Sequence, residues 1–131
     1  MRTQLNNGSG KSRNYLFRDG KLNPGLSLTS QYTINNGKIV STVYNPNAFT
    51  LSQTIEVGKT IFVKVETLTT ATNNGIVLFL DNRTIQSNFS QNNALNGTIY
   101  SGLECSTQSK ALGIQILGSA GTVGISEIWV E

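Results

Sequence analysis

Apolar and polar residues alternate over short stretches of the chain, and turn-forming residues separate these stretches. The clearest example is TIFVKVETLT (60–69), in which Ile61, Val63 and Val65 share one parity. Alternation with a period of two is typical of a strand with one buried face, because successive side chains point to opposite sides. No window carries apolar residues at i, i+3, i+4 and i+7 over three turns, so the pattern predicts no helix.

Turn signals recur every eight to twelve residues and divide the chain into nine or ten predicted strands. Asn36-Gly37 is a strong hairpin signal, because both central residues of the turn that it favours need positive φ. The run IVLFL (76–80) is apolar on both parities, which predicts a central strand covered on both faces. The predicted strands lie within residues 14–20, 26–33, 38–44, 48–57, 60–69, 76–82, 97–105, 110–117 and 123–131, with a short strand and a long loop in 81–96.

The last segment, VGISEIWVE, changes its apolar parity halfway. Ile125 belongs to the first half, whereas Ile128 and Val130 take over in the second. A β-bulge near Ser126-Glu127 reconciles the two halves, since a bulge inserts one extra residue into a strand. Trp129 then has the parity opposite to its apolar neighbours and is predicted to face outward.

This pattern predicts an all-β protein, an antiparallel β-sandwich of the jelly-roll type. The composition agrees, because the chain contains 15 Thr, which suits strands, together with 15 Asn, 13 Ser and 13 Gly, which suit turns. A length of 131 residues fits one domain. The single Cys105 rules out an internal disulfide and is predicted to be a buried thiol.

Positive charge is concentrated at the start of the chain. Residues 1–21 carry five basic residues and one acidic residue, a net charge of +4, whereas the remainder carries −1. We therefore divide the chain into an extended basic N-terminal arm (1–13) and a β-sandwich domain (14–131). A polar arm has little reason to order alone, so it is expected to dock on a partner by strand addition. The residues predicted to bind that partner are Arg2, Lys11, Arg13 and Arg18.

Catalysis is disfavoured by the residues that the chain lacks. It contains no His, which removes the usual general base near neutral pH and a common metal ligand. No phosphate-binding loop and no nucleophile elbow are present. Hydrolysis of a glycoside would need two facing carboxylates, for which Glu66 and Glu104 are the strand-borne candidates. We predict no enzymatic activity, no cofactor and no metal.

Binding of a glycan remains open, because sandwiches bind sugars with exposed aromatic rings. The rings considered are Tyr32, Tyr44, Tyr100 and Trp129, of which Tyr44, Tyr100 and Trp129 are the predicted sugar contacts; packing in the core or at its rim is the alternative for each ring. Nucleic acid is a less favoured partner, since the basic and aromatic stretch KSRNYLFR has no basic stripe to continue it. No membrane contact is predicted, because the longest apolar run is far shorter than the ~20 residues that span a bilayer.

Two segments carry a resemblance to a known class of domain. RNYLFRDGKLNPG and GISEIWVE resemble the first and last strands of carbohydrate-binding-module-like jelly rolls. With its Asn/Thr/Ser-rich surface and no secretion signal, the chain is also similar to small structural proteins of tailed bacteriophages. This resemblance implies a non-enzymatic virion structural protein, as capsid decoration, fibre or tail component. It would be assembled in the host cytoplasm as a homo-oligomer that contacts capsid or tail subunits through its arm. The alternative is a glycan-binding module for attachment to a host or surface.

Overall fold

The computed structural model describes residues 12–23, 28–51, 54–69, 75–80, 85–90, 98–106 and 112–131. These residues form eleven strands and no helix. The described part of the chain therefore contains no helix that could cross a membrane. The strands are β1 (Asn14–Arg18), β2 (Lys21–Leu22), β3 (Tyr32–Asn35), β4 (Lys38–Ser41), β5 (Phe49–Leu51), β6 (Thr60–Thr67), β7 (Gly75–Leu80), β8 (Ile85–Ser90), β9 (Thr98–Glu104), β10 (Leu112–Leu117) and β11 (Val123–Val130).

The strands pair in two antiparallel sheets. Seven strands form the first sheet, in which β11 is central: β6 pairs along one side of it, and β9 pairs with β6. The other side of β11 is shared by two strands laid end to end, with β4 beside its first half and β1 beside its second. The second sheet has the order β5-β10-β7-β8. The prediction of an antiparallel β-sandwich is confirmed.

The core lies between the two sheets and follows the predicted parities. Residues 61, 63 and 65 of β6 are buried against residues 112, 114 and 116 of β10 and residues 76, 78 and 80 of β7, in one continuous apolar cluster. Every residue of β7 is buried, as expected of the central strand that IVLFL predicts. Asn36 and Gly37 both have positive φ, 53° and 78°, and they join β3 to β4 as the hairpin signal requires.

Two predicted strands are shorter than the sequence pattern indicates. The strand expected over 26–33 is observed as β3, which begins only at Tyr32, and residues 24–27 lie outside the described part. The strand expected over 48–57 is reduced to β5 and an isolated bridge at Ile55, with residues 52–53 undescribed. Apolar parity marks which residues face the core, but it does not require them to be paired in a ladder.

Cys105 is fully buried, as predicted, and its Sγ donates a hydrogen bond to the carbonyl of Ile55 at 3.3 Å. This contact joins the end of β9 to the segment that leads into β6. Residues 1–11 are outside the described part of the chain, so the division into an arm and a domain stays a prediction.

Candidate functional site: an aromatic cluster on the outer face of the first sheet

Four aromatic rings meet on the face of the first sheet that points away from the core. Tyr15, Trp129 and Phe62 stand directly opposite one another on β1, β11 and β6. Tyr100 of β9 belongs to the neighbouring row, opposite Lys64. We call the four rings the outer aromatic cluster. It spans four adjacent strands, or about 14 Å across the sheet.

A β-bulge places Trp129 in this cluster. The pairing of β11 with β6 shifts register between Ile125 and Glu127, and the Ser126 hydroxyl donates to the carbonyl of Lys64 at 3.3 Å. Without the extra residue, Trp129 would share the parity of Ile125 and enter the core, since a one-residue shift exchanges the faces of a strand. The predicted bulge is confirmed, and it turns the indole outward.

Trp129 is the centre of the cluster. Phe62 stacks on it at 5.4 Å between centroids and 18° between planes. Tyr100 meets it edge-on at 6.3 Å, and the Tyr15 ring is tilted by 47° at 5.9 Å. These neighbours and Arg13 cover Trp129, which is only 2% exposed although its side chain faces outward. Tyr100 is 58% exposed and is therefore the ring most available to a ligand.

Arg13 covers the remaining face of the indole. Its guanidinium carbon lies 4.3 Å from the Trp129 ring centroid, a cation–π contact. Nη1 donates to the hydroxyl of Tyr15 at 3.1 Å, and Nε lies 3.4 Å from Oε2 of Glu131. The hydrogen bond with Tyr15 is the main cause that raises the pKa of Arg13 above its ordinary value; burial opposes it, and the negative charge of Glu131 adds a smaller contribution in the same direction. Arg13 is therefore a fixed cation at the edge of the cluster.

A charged row borders the cluster on its other side. Arg18, Glu127 and Lys64 stand opposite one another on β1, β11 and β6, in the same row as Tyr100. The guanidinium of Arg18 lies 4.4 Å from the centroid of the Tyr15 ring. The face thus combines apolar ring surface with cationic hydrogen-bond donors and an anionic acceptor. This combination suits polyhydroxylated ligands.

A glycine on β9 leaves room for the ring of Phe62. Gly102 is the cross-strand partner of Phe62, and a Cβ on it would lie 3.0 Å from Cε1 of the ring. The ring therefore lies over the glycine instead of standing away from the sheet. Cross-strand pairs of an aromatic residue with glycine are a known stabilising arrangement in sheets.

The structure brings together most of the residues that the sequence singled out. Arg13, Arg18, Tyr100 and Trp129 are all on this face, although two of them were predicted to bind a protein partner and two to bind a sugar. Arg2 and Lys11 lie outside the described residues. The assignment of these residues to a partner or a glycan stays a prediction.

Tyr44 lies elsewhere. It is 67% exposed, in a loop that Asn45 anchors by exchanging two hydrogen bonds with the backbone of Gly118, at 2.6 and 3.0 Å. The loop follows Ser41, whose carbonyl accepts from Gly121 just before β11 begins. Trp129 lies near the end of β11, on the order of 25 Å from that point. Tyr44 is therefore separate from the outer aromatic cluster.

Sequence reasoning missed Tyr15 and Phe62. Phe62 had a usable signal, since it alternates with the buried residues of β6 and had to face outward. Tyr15 had only its position between two arginines in SRNYLFR. Neither residue could be assigned to Trp129 without the long-range pairing of β1 and β6 with β11.

The two carboxylates considered for hydrolysis do not face each other. Glu104 is opposite Thr60 at one end of β6, and Glu66 lies six residues further along that strand, about 20 Å away. Glu66 instead pairs with Lys38 at 3.9 Å. Among the described residues, no group of three or more Cys, Asp and Glu side chains is placed to hold a metal ion.

Comparison with solved structures finds the same fold in carbohydrate-binding modules. A family 29 carbohydrate-binding module from Piromyces equi superposes with a TM-score of 0.59 at 16% identity, covering 91% of this chain and 89% of that one. A point mutant of the module CBM29-2 gives 0.58 at 14% identity, covering 92% of each chain. Another CBM29-2 mutant, complexed with cellulohexaose, gives 0.56 at 12% identity over 90% of this chain and 89% of that one.

No protein-family model and no curated protein matches the sequence. At these identities the structural likeness establishes the fold alone. The carbohydrate-binding-module-like sandwich that the terminal strands suggested is thus supported, whereas the comparisons give no support to a bacteriophage origin, a virion role or an oligomer.

Proposed function

We propose that this chain is a non-catalytic module that binds carbohydrate through the outer aromatic cluster. The observation that carries the proposal is the cluster itself: Tyr15, Phe62, Tyr100 and Trp129 form one aromatic surface across four strands, bordered by charged side chains. The apolar face of a sugar ring packs on aromatic carbon, while its hydroxyls need donors and acceptors at the rim.

The rings have different parts in this proposal. Tyr100 is the most exposed and supplies the main stacking surface, with Phe62 beside it. Trp129 is covered and acts by holding its neighbours in place. Arg18 and Lys64, on the adjacent row, reach hydroxyls at the rim with charge-assisted hydrogen bonds.

The structural neighbours support the choice of ligand class. Twelve similar chains were found; the ones quoted above are family 29 carbohydrate-binding modules, and one of them was solved with cellulohexaose. A soluble glucan hexamer is therefore the first probe, followed by other soluble oligosaccharides.

The test is calorimetric titration of the full chain with cellohexaose and with a panel of neutral oligosaccharides. We expect at least one to bind, and Tyr100→Ala to weaken that binding by at least tenfold while the melting temperature stays unchanged. Tyr44→Ala is the matched variant, an exposed tyrosine removed from the cluster, and it should bind as the unmodified chain does. No binding by any oligosaccharide, or a loss confined to Tyr44→Ala, would overturn the proposal.

A further inference from the structure

A cleft opens at the end of the sandwich next to the outer aromatic cluster. It has a volume of about 490 Å³, within the range of roughly 300–1,000 Å³ typical of sites for small ligands. It lies where β1 begins, where β11 ends and where the chain approaches β6. Its lining consists of residues 12–14 and 54–56, with Lys59 and Val130.

Arg13 connects the cleft with the cluster. Its side chain lines the cleft, while its guanidinium stacks on the Trp129 ring at 4.3 Å. Val130 of the cleft is the next residue after Trp129 in β11, and Asn14 is its cross-strand partner on β1. Val130 belongs to the core side of β11 and Trp129 to its outer side, so the cleft and the aromatic surface meet around the end of the sheet, at Arg13. One extended ligand that bends past Arg13 can contact both.

The lining of the cleft mixes donors with acceptors over an apolar floor. Lys59 and Asn14 supply donors, Glu56 supplies an acceptor, and the Thr54 hydroxyl supplies both. Ile55 is buried below them. Such a mixture suits the hydroxyls and carbon-bound hydrogens of a sugar unit.

The charges of the cleft are balanced. The cation of Arg13 is already paired with Glu131 at 3.4 Å, so Lys59 and Glu56 are the remaining charges, one of each sign. Among the described residues, neither of these two side chains forms an ion pair. A strongly anionic ligand would meet Glu56 as a repulsive neighbour, which favours a neutral one.

We propose that this cleft is an end subsite, which holds the terminal unit or units of a neutral glycan whose remaining units lie on the outer aromatic cluster. This inference rests on the proposed function, and it adds where the chain of sugars ends and which residues beyond the cluster contact it. Only ligands long enough to reach past Arg13 then gain affinity from contacts with Lys59, Thr54 and Glu56.

The test compares a trisaccharide with a hexasaccharide of the same glycan, by calorimetry on the full chain. We expect the unmodified protein to bind the hexamer at least tenfold more tightly than the trimer. Lys59→Ala and, independently, Thr54→Val should weaken binding of the hexamer by threefold or more and leave binding of the trimer unchanged. Tyr44→Ala, which removes an exposed ring near the opposite end of β11, is the control and should change neither.

The possible failures are distinguishable. If neither length binds, or if binding does not depend on Tyr100, the proposed function itself is wrong. If both lengths bind through Tyr100 but the hexamer has no advantage, or Lys59→Ala and Thr54→Val leave that advantage intact, the cluster binds sugar and the end subsite is wrong. Preferential binding of a uronate-containing hexamer that Lys59→Ala abolishes would overturn the neutral class of ligand.

Discussion

The indole N–H of Trp129 donates a hydrogen bond at 2.9 Å to Oε2 of Glu131, the residue that follows the end of β11. The same carboxylate oxygen lies 3.4 Å from Nε of Arg13, whose guanidinium covers the indole ring. Glu131 therefore holds both the edge of the tryptophan and the cation above it. This three-residue arrangement fixes the centre of the outer aromatic cluster before any ligand arrives, which lowers the ordering cost of binding.

Removing Arg13 should uncover the tryptophan. In Arg13→Ala the ring loses its cation and the Glu131 carboxylate loses its ion pair, so we expect the unfolding free energy to fall by about 1 kcal/mol. Trp129 is the sole tryptophan of the chain, so its fluorescence reports on this site directly. We expect a red-shifted emission and stronger quenching by acrylamide.

Arg18→Ala is the matched control for that experiment. Arg18 covers the ring of Tyr15 at a similar distance, 4.4 Å, but it does not lie over the indole. Its removal should leave the emission of Trp129 unchanged. Equal quenching of Arg13→Ala and the unmodified chain would contradict the covering role of Arg13.

The two glycines that face aromatic rings should respond differently to a methyl group. Gly113 is opposite Phe79, and a Cβ there would overlap the ring, which is only 7% exposed and has little room to move. We expect Gly113→Ala to lower the free energy of unfolding by about 1–3 kcal/mol in denaturant titrations.

Gly102→Ala is the milder counterpart. Its Cβ would lie 3.0 Å from Phe62, which is half-buried and can tilt outward. The loss of stability should be below about 1 kcal/mol. Because the tilted ring would disturb the aromatic surface, glycan affinity should fall as well. If Gly102→Ala lost more stability than Gly113→Ala, the prediction that Phe62 yields to a methyl group more easily than Phe79 would be wrong.

Tyr32 should make the protein sensitive to alkali. Its ring packs edge-on against Phe49 in the core, and burial raises the pKa of its hydroxyl to about 12, against an ordinary value of 10.0. Between these values the unfolded chain releases a proton that the folded chain keeps. The contribution to stability is therefore complete below pH 10 and is lost as the pH rises to 12, by about 2–3 kcal/mol.

The measurement is the free energy of unfolding in urea at pH 9, 10, 11 and 12. Tyr32→Phe is the control, since phenylalanine does not titrate. Below pH 10 this substitution costs about 1 kcal/mol, because the N–H of Ile116 loses the hydroxyl that accepts its hydrogen bond. The pH profile of Tyr32→Phe should be flatter above pH 10. Parallel profiles would contradict the assignment.

The hypothesis of an assembly arm has its own test. Light scattering would compare the molecular mass of the full chain with that of a variant lacking residues 2–11, which keeps Arg13 on Trp129. A tether between identical subunits predicts that the full chain self-associates and that the shortened one is a monomer. Monomers in both cases would exclude self-assembly through this segment and leave the carbohydrate-binding account untouched.

Local signals in the sequence were sufficient for the parts of the fold that depend on neighbouring residues. The alternation in β6, the Asn36-Gly37 hairpin and the parity break at Ser126-Glu127 each have a short-range physical cause, and each was confirmed. The same parity argument established that Trp129 faces outward.

The site itself could not be derived in this way. Tyr15 and Trp129 are 114 positions apart, and only the pairing of β1 with β11 brings them together. Parity gave the direction of the Trp129 side chain but not its burial beneath Arg13, a residue that the charge pattern assigned to an arm docked on a partner. Charge counts along a sequence do not show which cation has an aromatic ring beneath it.

The most direct test of the central claim uses the single indole N–H of the chain. In ¹H–¹⁵N spectra of the full-length protein, Trp129 gives one side-chain indole resonance, and its hydrogen bond to Glu131 places it inside the cluster. Titration with the oligosaccharide that binds most tightly should shift this resonance to saturation, with the dissociation constant measured by calorimetry, while the amides of Asn45 and Asn47 stay in place. A shift confined to the Tyr44 loop, with the indole unchanged, would contradict binding at the outer aromatic cluster.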